Sequence, residues 1–150
     1  MGYGIGVLVA VAVAGFARLV GFDRDRAFYA TVLIVVASYY VLFAVMGGGG
    51  QVLVAELLGM SVFGAAAVLG FKLSPWIVAA GLAGHGVFDS FHGRIIANPG
   101  MPAWWPAFCG SYDVCAGVVL AWLLWRERKS ARRNLIAAKA ARATDDAAPA

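Results

Sequence analysis

The sequence predicts an all-α, polytopic membrane helix bundle of about five transmembrane helices. Three observations carry that expectation: an apolar composition, five runs of membrane-spanning length, and basic residues gathered on one side of those runs. Of 150 residues, 62% are hydrophobic and 13% charged, and the mean hydropathy is +0.80, which leaves too little polar surface to clothe an ordinary core in water. A soluble enzyme domain is excluded on that ground. Apolar dominance also excludes disorder, the aperiodic glycines exclude collagen, and two cysteines are too few for a disulfide scaffold.

A helix crossing about 30 Å of hydrocarbon needs about 20 mainly apolar residues. The first such run is Tyr3 to Phe22, where Gly2, Gly6, Ala10 and Ala14 recur at the four-residue spacing that lets helices approach closely. Ala12-Val13-Ala14 imitates a signal-peptide cleavage site. The segment lacks a basic start, however, and cleavage would leave Arg18, Arg24 and Arg26 outside, so it is read as a span. The charged turn Asp23-Arg24-Asp25-Arg26 leads into the second run, Phe28 to Met46, and Gly47 to Gln51 break the chain before the third, Val52 to Phe71. Pro75 suits a helix start, and the fourth run follows from Trp76 to about Gly93. A loop holding Asn98, Pro99, Gly100 and Pro102 passes Trp104 and Trp105, residues suited to an interfacial belt, into the fifth run, which ends near Trp125. The chain thus divides into a five-span bundle, residues 1–125, and a basic tail, residues 126–150.

With five spans, Arg18, Arg24, Arg26, Lys72 and the seven cations after Trp125 fall on one side and only Arg94 on the other. Cation-rich short loops stay in the cytoplasm, so the N-terminus is expected outside and the C-terminus inside, in a multi-pass protein of the cell membrane. The seven tail cations, offset by Glu127, Asp145 and Asp146, account for the whole net charge of +4. They read as a topology anchor that meets anionic headgroups of the lipid bilayer, and nucleic-acid binding has little support. The Ala-rich middle of the tail can continue as a helix, Leu135 and Ile136 are too few for an amphipathic face, and Thr144 to Ala150 read as disordered.

Ionisable groups inside spans cost about 2.5–3.5 kcal/mol each near the bilayer centre, so each needs a reason. In the fourth span His85, Asp89 and His92 stand at i, i+4 and i+7, within about 60° of helical arc, and form one polar stripe. Glu56 lies in the third span, Asp113 beside Tyr112 in the fifth, and Ser38, Tyr39 and Tyr40 in the second. At 1.5 Å per residue His85 and Asp113 sit roughly 12 Å below the outer surface, Glu56 about 7 Å and Asp89 about 6 Å. Polar groups from several helices at one level predict an outward-opening polar cavity.

Asp89 and His92 have the carboxylate-x-x-His spacing that puts two metal ligands on one helical face, as in di-iron bundles. His85, Asp89 and His92, with Glu56 or Asp113 as additions, are the expected ligands of one divalent zinc, iron or manganese ion. The same groups can act without metal, with His85 and Asp89 exchanging protons while Asp113 or Glu56 holds charge. Mutual pairing that merely locks the helices is the third possibility. Tyr39 and Tyr40 point about 100° apart, so at most one faces the cluster. Arg94 and Asn98 either orient the site or are ordinary loop residues. Cys109 and Cys115 lie some 9 Å apart along the helix axis on different sides, too far to bridge, and read as free core residues.

In the run His85 to Gly93, followed by Pro102, Trp104, Trp105, Pro106 and Tyr112-Asp113, the chain resembles a family of small bacterial multi-span integral membrane proteins of unknown function. That resemblance covers roughly the last two helices; it implies a multi-span fold and no particular activity. The spacing His85-x-x-x-Asp89 is similar, more weakly, to five-span sterol isomerases of the emopamil-binding type, with Asp where Glu would be expected. The expected function is a hydrolase or isomerase acting on a lipid-like or amphipathic small molecule through Glu56, His85, Asp89 and Asp113. Two alternatives are a binding or transport module, for which the inner halves offer little beyond Thr31 and, close to the surface, Arg18, and a structural subunit of a membrane complex.

Overall fold

A computed structural model describes residues 1–146, which form helices joined by short connections, with no strand among the described residues. Helix α1 spans Gly2–Val20, α2 Arg26–Phe43, α3 Gly49–Lys72, α4 Pro75–Ile95 and α5 Trp105–Asp146. Local chemistry sets the boundaries. Gly21 takes a left-handed conformation (φ 89°) and its N–H returns to the Ala17 carbonyl, closing α1. Asp25 caps α2 by accepting from the Ala27 N–H, and Pro75 opens α4, where its missing N–H costs nothing. Between α2 and α3 a π-helical turn, Ala44–Gly48, runs into Gly49 at φ 77° and ψ 174°, a conformation that side chains disfavour and glycine accepts. There the chain reverses, and α3 packs back along α2.

Successive helices alternate in direction. The Ser111 hydroxyl donates to the Tyr3 carbonyl at 3.0 Å, so α1 and α5 start from the same end and run parallel; the α2–α3 turn meets the α4–α5 loop there, where Gly47 abuts Gly100. At the opposite end the Asp23–Arg26 turn, Pro75 and Leu123, Leu124 and Glu127 of α5 surround one small cavity. Helix α4 lies innermost, packed on α2, α3 and α5, while α1 packs on α5 and the turn after it and makes no helix contact with α2 among the described residues. The α4–α5 crossing is close because Gly86 and Gly110 face each other; a Cβ on Gly86 would lie 2.5 Å from the Gly110 carbonyl oxygen.

The stretches Gly2–Val20, Arg26–Lys72 and Trp105–Ala140 are long and apolar enough to cross a membrane, the second being folded back on itself at Gly49. Large apolar side chains such as Leu8, Phe16, Leu58 and Val62 point outward from these helices, far more than a water-soluble surface tolerates. Helix α4 is not in that apolar set because it carries His85, Asp89, His92 and Arg94; its central place shelters the first three. Observed boundaries for α1 to α4 follow the expected runs within a few residues. Helix α5 continues past Trp125 into the basic tail as far as Asp146, including Thr144 to Asp146, which were expected to be disordered; the rest of that expectation, 147–150, lies outside the described residues.

Candidate functional site

The fold gathers Glu56, His85, Asp89, His92, Asn98 and Asp113 into the interior, each between 0% and 7% exposed. They form two groups. In the first, α4 supplies His85 and Asp89 one turn apart, and α5 supplies Cys109 and Asp113 one turn apart, the two pairs meeting across the Gly86–Gly110 crossing. His85 Nδ1 lies 2.7 Å from Asp113 Oδ2 and 3.7 Å from Asp89 Oδ1. Cys109 Sγ approaches Asp113 Oδ2 at 3.5 Å, and the Tyr40 hydroxyl donates to Asp89 Oδ1 at 2.7 Å.

In the second group His92 Nε2 meets both oxygens of Glu56, at 2.9 and 3.1 Å, and Asn98 donates to Glu56 Oε1 at 2.8 Å and to the Tyr40 carbonyl at 3.1 Å. Tyr40 joins the two groups physically, because its ring stacks on His92 with centroids 4.0 Å apart while its hydroxyl reaches Asp89. Phe63 and Phe88 close the remaining sides with edge contacts to His85 and His92 respectively.

The expected ligand set is therefore divided. His85, Asp89, Cys109 and Asp113 each offer one ligand atom within 4.8 Å of the others, a group that could hold a metal ion. His92 and Glu56 are engaged with each other instead. Seven residues separate His85 from His92, roughly 10 Å of helix rise, so sharing an angular stripe does not bring both to one point. Cys109 takes the place that the spacing assigned to His92. Asn98, for which a plain loop role was the alternative, is buried and holds Glu56. Tyr40, not Tyr39, faces the cluster.

The donor set passes a chemical test for a cation. Asp89 Oδ2 and Asp113 Oδ1 are buried without a hydrogen-bond partner, which a buried carboxylate does not sustain cheaply. Among the described residues no lysine or arginine pairs with these carboxylates. Glu56 and His92 can balance each other, whereas Asp89 and Asp113 face one histidine, so full ionisation leaves a negative charge that a bound dication or a shared proton must neutralise.

The expected outward-opening polar cavity is corrected by the packing. Beside Tyr40, Glu56, His85 and Phe88 there is a space of only about 10 Å³, enough for about one water. The large cavity, about 600 Å³, is elsewhere: an apolar cleft between α1 and α2, floored by Trp105, Phe108, Cys109 and Tyr112 of α5. The Asn98–Gly100 segment crosses the loop end, and Asn98 ties it to Glu56 and Tyr40. Packing closes this region: His92 Nε2 and Asn98 both reach Glu56 inside the bundle, while His92 Nδ1 is buried without a partner.

Fold and site together define a helical bundle of membrane-compatible apolarity with a buried His/Asp/Cys/Asp group able to hold a metal ion. In comparisons with known proteins, no family model, curated protein or solved structure matches the chain.

Proposed function

We propose that the chain is a five-span integral membrane protein that binds one divalent metal ion through His85, Asp89, Cys109 and Asp113 and acts as a metal-dependent enzyme on a lipid-like small molecule. The observation that carries this reading is the convergence of four donor atoms within 4.8 Å, two of the contributing carboxylates each retaining a partnerless buried oxygen. Imidazole and thiol donors together favour zinc or iron over manganese. An ion held there supplies Lewis-acid activation of water or of a substrate oxygen. Tyr40, by holding Asp89 Oδ1, leaves Oδ2 as that residue's ligand atom. Glu56, His92 and Asn98 brace α3, α4 and the loop around the centre. The His-Gly-x-x-Asp-x-x-His-Gly run contributes His85 and Asp89 to the first group and His92 to the second.

The arrangement in the bilayer follows the charges: the end with Arg18, Arg24, Arg26, Lys72 and the basic tail is cytoplasmic. Arg126 over Trp122, Lys129 over Trp125 and Arg128 over Trp76, at 4.7–5.0 Å, lie where the apolar part of α5 gives way to its basic part and suit an interface. A through-membrane ion path is disfavoured, because toward that end the core continues with Leu33, Val78, Leu82, Ala116 and Leu120. A metal-free acid–base site is the second reading, favoured by the 2.7 Å contact of His85 with Asp113. Cobalt reconstitution in detergent separates the two: the metal reading expects a thiolate-to-cobalt charge-transfer band that Cys109→Ser abolishes, and absence of the band from wild type refutes it.

A further inference from the structure

The apolar cleft shares a side chain with the metal-capable group. Cys109 is among the residues of its floor, and its Sγ lies 3.5 Å from Asp113 Oδ2. The cleft exists because α1 leans on α5 alone, leaving Val9 and Val13 opposite Val32 and Val35 of α2 with open space between them. Its ends differ. At the tail end the turn at Gly21 and Phe22 closes it, and at the loop end it finishes at Tyr39 and Trp105. From Phe28 to Tyr39 it runs about 16 Å by helical rise, close to the hydrocarbon depth of one leaflet, about 15 Å. Trp105 is nine-tenths buried and its indole N–H has no acceptor. An apolar slot of about leaflet length has the dimensions and chemistry of one acyl chain, and Trp105, whose buried indole N–H lacks an acceptor, stands at its outer end.

We propose, resting on the enzymatic reading above, that the cleft is the substrate-binding site and takes one fatty-acyl chain of a membrane phospholipid, which enters sideways between α1 and α2. The chain lies along Val9, Val13, Val32 and Val35, and its ester end lies toward Trp105 and Cys109. The substrate class is then an acyl lipid reaching the metal-capable group through the wall that Cys109 forms.

The test is native mass spectrometry of protein delipidated in detergent and then incubated with dioleoyl phosphatidylglycerol. One lipid per chain is expected to survive release from the micelle. The cleft-filling pair Val13→Phe and Val35→Trp is expected to lower that retention about tenfold or more, the equivalent of about 1.4 kcal/mol. Val62→Trp, on the outward face of α3, is expected to leave it unchanged. In wild type, the same lipid carrying a mid-chain diazirine is expected to crosslink to Val13, Val32 and Val35. Equal retention in all three proteins, or crosslinks on Leu58 and Val62 instead of the cleft, overturns the proposal; the wild-type crosslinks decide it even if the filled variant fails to fold. Metal content of the same samples keeps the two readings apart. Lipid retained without metal refutes only the metal centre, and metal retained without lipid refutes only the acyl site.

Discussion

Gly86→Ala probes the crossing that builds the site. The added Cβ would lie 2.5 Å from the Gly110 carbonyl oxygen, and ordinary contact begins at 3.4 Å, so α4 and α5 must part by about 0.9 Å. The same separation would stretch the 2.7 Å contact of His85 with Asp113 to about 3.6 Å, beyond hydrogen-bond range. Overpacking costs about 1–3 kcal/mol, and at about 2–4 °C per kcal/mol for a chain of this size the midpoint of thermal unfolding should fall by about 6 °C. The control is Gly84→Ala, two residues away on the same helix, where a Cβ meets nothing within 4 Å. Replacing a helical glycine there should be neutral or stabilising by about 0.5–1 kcal/mol. The assay is circular dichroism melting in detergent together with metal content, which should fall in Gly86→Ala and hold in Gly84→Ala. Matching melts and matching metal content in the two variants would refute the reasoning.

Tyr40→Phe removes the donor to Asp89 while keeping the ring on His92, so metal affinity should drop about 10–100-fold with little change in melting, measurable by competition with a chelating dye. Glu56→Ala leaves His92 Nε2 without a partner and Asn98 with only the Tyr40 carbonyl, and should destabilise by about 3 kcal/mol, read as a lower unfolding midpoint; Glu56→Gln should recover part of the loss. Gly49→Ala forces a side chain into the φ 77° turn and should cost about 1–3 kcal/mol in the same melts, whereas Gly50→Ala, with open space around it, should not.

Much of the helical architecture was legible because the length and apolarity of each run are written in the composition. Run lengths, Pro75 and the glycine turn located the helices. The polar residues were legible as a set, since His85, Asp89, Glu56 and Asp113 all turn inward. Their partition was not. Helical arc told which residues share a face and said nothing of the roughly 10 Å of rise between His85 and His92. Cys109 reads as an ordinary core thiol beside Cys115; its i, i+4 spacing to Asp113, matching that of His85 to Asp89 on the facing helix, is the signal that marks it as a ligand. The closed site and the sideways cleft depend on which helices touch, and α1 standing apart from α2 is a tertiary fact that no single-helix periodicity encodes.

Metal stoichiometry is the most direct test of the buried centre. Protein purified in detergent without chelator should carry one zinc or iron ion per chain by inductively coupled plasma mass spectrometry. His85→Ala, Cys109→Ala and Asp113→Ala should each lose it, while His92→Ala, on the separate Glu56 pair, should keep it. A wild type without metal, or an ion lost on replacing His92 and kept on replacing Cys109, would contradict the centre described.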